Sequence, residues 1–106
     1  MSRYRGVFTI PVTPFDASGA LDEASLASCV TFCVAAGAHG IVAPVNASEV
    51  TSLTDDERRR VAEIVVATVA GRIPVVVGVS GVSATHAALF ATHAREIGRA
   101  SCRERV

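Results

Sequence analysis

Residues 40–58 read GIVAPVNASEVTSLTDDER, a sequence that passes from an apolar strand through a polar loop into the start of a helix. Gly40 to Val45 is a continuous apolar run, the pattern of a parallel strand that is covered on both faces. Thr54 followed three residues later by Glu57 is a capping box, which predicts a helix N-terminus. Because ligands bind at the carboxyl ends of parallel strands, the polar residues from Asn46 to Ser52 mark a candidate site.

The rest of the chain repeats this strand and helix pattern on both sides of the candidate site. Strands alternate with helices about 35 residues apart, as in βαβ units, and no antiparallel hairpin is indicated. Such units build either a doubly wound sheet or a closed (β/α) barrel, and periodicity alone does not choose between them. The predicted elements are a strand at 6–13, a helix at 22–37, a strand at 40–45, a helix at 55–70, a strand at 74–78 and a helix from 83 to at least 95.

Composition restricts the class of protein. The chain has 106 residues, of which 50% are hydrophobic and 19% are charged. This length and composition predict one globular domain rather than a disordered segment. The formal net charge is zero, and we therefore expect no nucleic-acid partner and no membrane partner. No signal peptide and no membrane-spanning run is recognisable, which predicts a cytoplasmic protein.

Two residue types bear on possible chemistry. Lysine is absent and every basic residue is arginine, so this polypeptide has no side-chain primary amine for Schiff-base catalysis. Cys29 and Cys33 are four residues apart on a predicted helix, which is also a metal-ligand spacing. No third ligand is close in the sequence, and we expect both cysteines to pack as small hydrophobic residues, with no metal site.

Five motifs are spaced along the chain. They are GVFTIPVTPF at 6–15, GALD at 19–22, AGAHGIV at 36–42, SE with LTDDER within 48–58, and GRIPVVVG at 71–78. In this order they resemble the N-terminal part of the dihydrodipicolinate synthase and N-acetylneuraminate lyase family, over about residues 5 to 95. The resemblance implies a partial TIM-barrel domain at 1–95 that contains the first three βα units of a truncated (β/α)8 barrel, since a whole barrel needs about 250 residues.

The resemblance also implies a function for an intact parent protein. Members of the family are Schiff-base (class I) aldolase-type lyases that act on pyruvate or another 2-keto acid. The catalytic lysine and tyrosine are expected beyond the truncation, so no catalytic residue is assigned here and the 106-residue fragment is expected to be inactive. No cofactor is expected, and the parent is expected to be a homo-oligomer.

The polar loop departs from the family pattern. The family usually has Gly-Thr-Thr-Gly-Glu after the second strand, whereas this chain has Val45 to Glu49 at those positions. By resemblance the substrate-binding residues are Asn46, Ala47 and Ser48, and the backbone amides of Ala47 and Ser48 are able to bind a carboxylate without side chains. The threonine hydroxyl relay is lost, because the Asn46 amide does not titrate and alanine has no polar group. The loss of the relay favours a divergent aldolase or dehydratase over dihydrodipicolinate synthase itself.

Glu49, the last residue of the same motif, is expected to order the loop by accepting hydrogen bonds from backbone amides.

Other residues have more ordinary interpretations. We expect His86 and His93, seven residues apart on the third helix, to be packed or solvated rather than metal ligands. Ser80 lies in the loop after the third strand, which lacks the last glycine of a nucleophile elbow and the lysine of a phosphate-binding loop.

Residues 96–106 read EIGRASCRERV and match no motif of the barrel. In-frame codons of a common sequencing adapter encode this segment, and our hypothesis is a non-native tail that arose by adapter read-through. The alternative is an authentic short protein with a solvated arginine-rich tail. In that case the chain is a complete, non-catalytic α/β module that binds a ligand or a partner at its strand ends.

Overall fold

The computed structural model describes residues 6–44 and 48–105, and within them parallel strands alternate with helices as predicted. The alternation confirms the α/β class and the order of the elements. In chain order the elements are β1 (Phe8–Thr9), α1 (Glu23–Ala35), β2 (Gly40–Val42), a 3₁₀ helix (Val50–Ser52), α2 (Asp55–Val69), β3 (Val75–Val76) and α3 (Ala84–Arg105).

The sheet has the strand order β1-β2-β3, with both pairs parallel. Phe8 pairs with Gly40, and Ile41 pairs with Val75. Helix α1 connects β1 to β2 and α2 connects β2 to β3, both without a reversal of strand order, and right-handed crossovers of this kind place their helices on one face of the sheet. A doubly wound sheet reverses its strand order only after such a run, so the order β1-β2-β3 fits a barrel segment and also one half of a doubly wound sheet.

The strands are shorter than the sequence predicted. Strand one was expected at 6–13, strand two at 40–45 and strand three at 74–78, but the ladders cover only two or three residues each. Prolines explain the difference for the first two strands, because Pro11 and Pro44 have no N–H to donate to a neighbouring strand. The last ladder bond of β2 runs from the Ala43 amide to the Val76 carbonyl, at 3.0 Å, directly before Pro44.

Helix ends follow the capping residues in the sequence. The Asp22 carboxylate accepts from the Ser25 amide at the start of α1, and Thr54 and Glu57 form the predicted capping box at the start of α2. Gly37 has a φ of +96°, the left-handed conformation expected after α1. At the end of α2 the left-handed cap is Ala70, and Gly71 directly after it is also left-handed, with φ 77°.

The hydrophobic core lies between the sheet and the first two helices. Helix α1 contributes Leu26 and Val30, while α2 contributes a row of aliphatic residues on its inner face. Ile41 of β2 is fully buried beneath them. The buried core residues are Leu26, Val30, Ile41, Ala43, Leu53, Val61, Ile64, Val65 and Val69.

Large apolar side chains also remain exposed on the sheet and on α1. Val12 is 59% exposed, Phe32 is 71% exposed and Val76 is 41% exposed. In a barrel such positions are covered by further strands and helices. The described residues therefore form one side of a core whose other side is not part of this chain.

Candidate functional site

The loop after β2 is anchored at Ser48, the last of the three predicted substrate-binding residues. Ser48 is 1% exposed, and its hydroxyl donates a hydrogen bond of 2.8 Å to the Pro11 carbonyl. In return the Thr13 hydroxyl donates a hydrogen bond of 2.5 Å to the Ser48 carbonyl. The other two predicted residues, Asn46 and Ala47, lie outside the described residues.

These contacts define what Ser48 is able to do. Its hydroxyl proton is already donated within the protein, so this side chain has no proton left to donate to a ligand. Pro11 and Thr13 follow β1, and Ser48 follows β2, so the contacts join the carboxyl ends of two neighbouring strands. Ligand sites of parallel α/β folds lie at this edge.

Glu49 lies directly after Ser48, at the start of the 3₁₀ helix. Its side chain is exposed and makes no capping hydrogen bond to the 3₁₀ helix that follows. For the amides of that helix the expected hydrogen bonds are not seen, and for the rest of the loop the expectation stays a prediction. The backbone of Glu49 turns the chain instead, with φ 61° and ψ 40°, a left-handed conformation that is uncommon for a residue with a side chain.

A cleft of about 460 Å³ lies beside this loop, between the segments that follow β2 and β3. The 3₁₀ helix and the start of α2 form one wall, and the loop before α3 forms the other. Ser80, assigned from sequence to a loop, lines this second wall. The lining residues are Val50, Thr51, Leu53, Asp55, Arg58, Ser80, Gly81, Val82 and His86.

Arg58 is the main positive charge of the cleft, and sequence analysis gave it no role. Its side chain is 7% exposed, and one guanidinium nitrogen donates to the Gly78 carbonyl at 3.3 Å. The guanidinium carbon lies 3.8 Å from the centroid of the Phe90 ring, a cation–π contact. Burial lowers the pKa of Arg58, and the nearby carboxylate of Asp55 opposes this shift. Among the described residues the buried Nε has no hydrogen-bond partner.

His86 is oriented by contacts from both walls of the cleft. The Val82 amide donates to His86 Nδ1 at 3.1 Å, which requires a lone pair on that nitrogen. Nε2 then carries the proton and donates to Asp55 Oδ1 at 3.0 Å. Sequence analysis expected a packed or solvated histidine, and it missed this partner because Asp55 belongs to α2 rather than to the histidine's own helix.

His93 takes part in a second contact between the same helices. His93 Nε2 lies 2.8 Å from Glu63 Oε2, and Arg60 joins Glu63 to Glu23 of α1 at 3.4 and 2.8 Å. The hydrogen bond from His93, followed by that from Arg60, holds the pKa of Glu63 below its ordinary value. These groups lie along the helices, away from the strand ends, and tie the helices together.

Cys33 of α1 behaves as a packing residue, and both Cys29 and Cys33 are free cysteines. Cys33 contacts the hydrophobic core, and burial together with its neighbour Cys29 raises the pKa of the Cys33 thiol. A raised thiol pKa disfavours the thiolate that metals and electrophiles require. Within residues 6–44 and 48–98, no group of three or more histidine, cysteine or acidic side chains is placed to hold a metal ion. No helix in the described part of the chain is both long enough and apolar enough to cross a membrane.

Comparison with known proteins gives a consistent family. The model of the dihydrodipicolinate synthetase family matches residues 3–104. The chain is 37% identical over 100 residues to 4-hydroxy-tetrahydrodipicolinate synthase of Afipia carboxidovorans, covering 94% of this chain and 33% of the relative. It is 38% identical over 98 residues to L-2-keto-3-deoxyarabonate dehydratase of Azospirillum brasilense, covering 92% of this chain and 32% of that protein.

Comparison with solved structures indicates the same family. The crystal structure of dihydrodipicolinate synthase from Aquifex aeolicus matches with a TM-score of 0.85 and 32% identity, over 90% of this chain and 32% of that one. N-acetylneuraminate lyase from Mycoplasma synoviae matches with a TM-score of 0.86 and 25% identity, over 91% of this chain and 33% of that one. The chain thus spans about a third of the length of these relatives and matches the N-terminal part of their TIM barrel. On the evidence of its sequence and its fold, the chain belongs to the dihydrodipicolinate synthetase family.

Proposed function

We propose that the chain is the N-terminal third of a Schiff-base aldolase-type lyase that acts on pyruvate or another 2-keto acid. The observation that carries the proposal is the match of the family model to residues 3–104, on a parallel sheet whose first two strands are joined at their carboxyl ends by Ser48. The named relatives are a synthase, a lyase and a dehydratase. They favour this function over a complete, non-catalytic binding module.

In this proposal the loop after β2 binds the carboxylate of the substrate. Asn46, Ala47 and Ser48 are the substrate-binding residues, and the contact is made by backbone amides because the Ser48 hydroxyl is bonded to Pro11. The lost hydroxyl relay at residues 46 and 47 favours an aldolase or dehydratase that moves its proton by another group. No metal or other cofactor is needed, because the imine itself withdraws electrons from the substrate.

The 106-residue chain is proposed to be inactive by itself. An imine requires a primary amine on the enzyme, and the sequence contains no lysine. The catalytic lysine and tyrosine are therefore proposed to lie in later strands of the intact protein. We also propose that the intact protein is a cytoplasmic homo-oligomer, which light scattering and cell fractionation would test.

Borohydride trapping tests the function directly. The intact protein encoded at the source locus should gain the mass of a reduced pyruvate adduct on a lysine when it is treated with pyruvate and borohydride. The 106-residue chain under the same conditions should gain no such mass. An intact protein that remains unmodified while it converts a 2-keto acid would contradict the Schiff-base proposal.

The same locus tests the proposed boundary at residue 95. Helix α3 and the family match both continue beyond that residue, to Arg105 and to residue 104. We propose that residues 96–106 are nevertheless non-native. Source DNA should then encode a different sequence after Arg95, followed by about 200 further codons that include a strand-borne lysine. Source DNA that encodes EIGRASCRERV and then a stop codon would refute the tail hypothesis and favour the small binding module.

A further inference from the structure

Helix α3 begins with a capping arrangement in which a histidine takes the usual place of a glutamate. Ser83 directly precedes α3, and its hydroxyl accepts from the His86 amide at 3.1 Å. The His86 ring reaches back, and its Nδ1 accepts from the Val82 amide at 3.1 Å. Helix α2 has a similar reciprocal pattern, in which Glu57 accepts from the Thr54 amide at 2.8 Å. In both helices a side chain of the first turn supplies an acceptor to the backbone that enters the helix.

An imidazole acceptor differs from a carboxylate acceptor in the pH at which it is lost. An ordinary carboxylate remains an acceptor down to about pH 4.3, whereas an imidazole ordinarily gains its second proton near about pH 6.5. Nδ1 of the protonated ring carries a hydrogen, so it no longer accepts from the Val82 amide. The contact between His86 and Val82 is therefore complete above this pH range and is lost as the pH falls through it.

The His86 ring lies directly against the loop that it holds, residues 77–83, which we call the β3–α3 loop. A Cβ atom at Gly81 would lie 2.6 Å from His86 Nδ1. On its other side the ring meets Phe90 edge to face, with the ring centroids 4.9 Å apart. A proton added to Nδ1 would thus face the Val82 N–H at close range, and one of the two groups has to move.

The charged groups around His86 come from α2. Asp55 accepts from Nε2 at 3.0 Å and favours the second proton. Arg58 and Arg59 oppose it, because their guanidinium carbons lie 3.8 and 5.5 Å from the centroid of the Phe90 ring that His86 contacts. The positive end of the helix dipole also opposes a cation in the first turn of α3. Neither the β3–α3 loop nor the 3₁₀ helix across the cleft has an ionisable side chain.

The two contacts of the ring respond to protonation in opposite ways. Nε2 carries a hydrogen in both states, so the contact with Asp55 is kept and becomes an ion pair. The contact with Val82 is lost, and the Val82 side chain is 95% exposed and does not hold the loop by packing. The ring therefore stays on α2, and it is the loop that moves.

We propose that His86 is a pH-sensitive latch that holds the β3–α3 loop when its ring is neutral and releases it when the ring is protonated. The loop contributes Ser80, Gly81 and Val82 to one wall of the cleft, so release changes the shape of the cleft. The latch goes beyond the proposed function and does not rest on it, since it needs neither a substrate nor a lysine.

Exchange of the Val82 amide with water, measured by NMR on the ¹⁵N-labelled 106-residue chain, tests the latch. The two conditions are about pH 7.5 and about pH 5.5, between which histidines gain protons while ordinary carboxylates stay ionised. After correction for the intrinsic effect of pH, we expect exchange about fivefold to tenfold faster at the lower pH, the effect of one hydrogen bond. The ring nitrogens of His86 should show a proton on Nε2 alone at the higher pH. A corrected rate that changes by less than about twofold would overturn the inference.

His86→Gln keeps an acceptor for the Val82 amide and a donor for Asp55, but it does not titrate. Because glutamine also serves in capping boxes, the corrected exchange rate of Val82 should agree within about twofold at the two pH values. A His86→Gln chain that keeps the full pH response would show that another group causes it, and the latch would be refuted. If this variant does not fold, the exchange rates and ring signals of wild type decide the question without any substitution.

His93→Gln is a matched control on the same helix. His93 also contacts a carboxylate of α2, with Nε2 2.8 Å from Glu63 Oε2, but it lies about two helical turns farther from the β3–α3 loop. The Val82 amide of this variant should keep the pH response of wild type. Loss of the response in His93→Gln would assign the pH effect to the contact between α2 and α3, and this result would also overturn the latch.

Discussion

Gly40→Ala should destabilise the sheet at the point where β1 and β2 meet. A Cβ atom at residue 40 would lie 2.4, 2.6 and 2.7 Å from three carbons of the Phe8 ring, whereas ordinary contacts are 3.4–4 Å. Phe8 and Gly40 are paired in register, and Gly40 is buried. The ring would therefore have to retreat by about 1 Å in a close-packed region.

The expected cost of Gly40→Ala follows from two opposing effects. Overpacking a buried site costs about 1–3 kcal/mol. Replacing glycine by alanine restricts the unfolded chain and returns about 0.4–1 kcal/mol. The net prediction is a loss of about 1–2 kcal/mol in the free energy of unfolding, larger than either the experimental error or a typical surface substitution.

Urea denaturation of the 106-residue chain, followed by circular dichroism, measures this loss. Gly98→Ala is the control, since a Cβ at that position of α3 meets nothing within 4 Å. Helix propensity predicts that this control stabilises the chain by about 0.5 kcal/mol. Phe8→Ala removes the ring and should abolish most of the cost of Gly40→Ala in a double-mutant cycle. A Gly40→Ala protein as stable as wild type, or a cost that persists without the Phe8 ring, would refute the packing argument.

Three further predictions concern α2 and its contacts. Thr54→Ala removes the hydrogen-bond acceptor of the Glu57 amide and should cost about 1 kcal/mol in urea denaturation, while Thr54→Ser should cost little. Glu63 has a lowered pKa in the folded chain, so its stabilising effect is present above its unfolded pKa, near 4.5, and is lost as the pH falls through the folded value. Glu63→Gln should therefore cost about 0.5 kcal/mol at pH 7, since the side chain is 38% exposed, and the cost should shrink steadily in titrations as the pH falls below 4.5. Arg58→Met should change the free energy of unfolding by less than about 1 kcal/mol, because removal of the buried charge offsets the loss of its contacts. A loss above about 3 kcal/mol in urea denaturation would show that Arg58 is a net stabilising residue.

The elements of the fold were predictable from sequence because the signals that define them are local. Asp22 and Thr54 cap helices through residues three positions away, and Gly37 ends a helix by its own conformational freedom. The lengths of the strands were not predictable from apolar runs alone. They depend on where Pro11 and Pro44 interrupt the hydrogen bonds to a neighbouring strand, and the sequence does not say which neighbour that is.

The contacts of the candidate site were mostly beyond sequence reasoning because they join distant residues. His86 and Asp55 are 31 residues apart, and Thr13 and the Ser48 carbonyl are 35 apart. Spacing along one helix cannot show a partner that a neighbouring helix supplies. The position of Ser48 at the carboxyl end of a strand was predictable, whereas the use of its hydroxyl within the protein was not.

In the proposed Schiff-base lyase, the loop after β2 has two separate tasks. Relay of a proton needs hydroxyl side chains, and residues 46 and 47 no longer provide them. Binding of a carboxylate needs only backbone amides, and substitution at residues 46 and 47 leaves the amides in place because neither residue is proline. Under the proposed function, substitution at residues 46 and 47 therefore changes the route of the proton and keeps the backbone amides that bind the carboxylate. On this reasoning the divergent loop is compatible with a family member that retains its class of substrate and has altered the route of its proton.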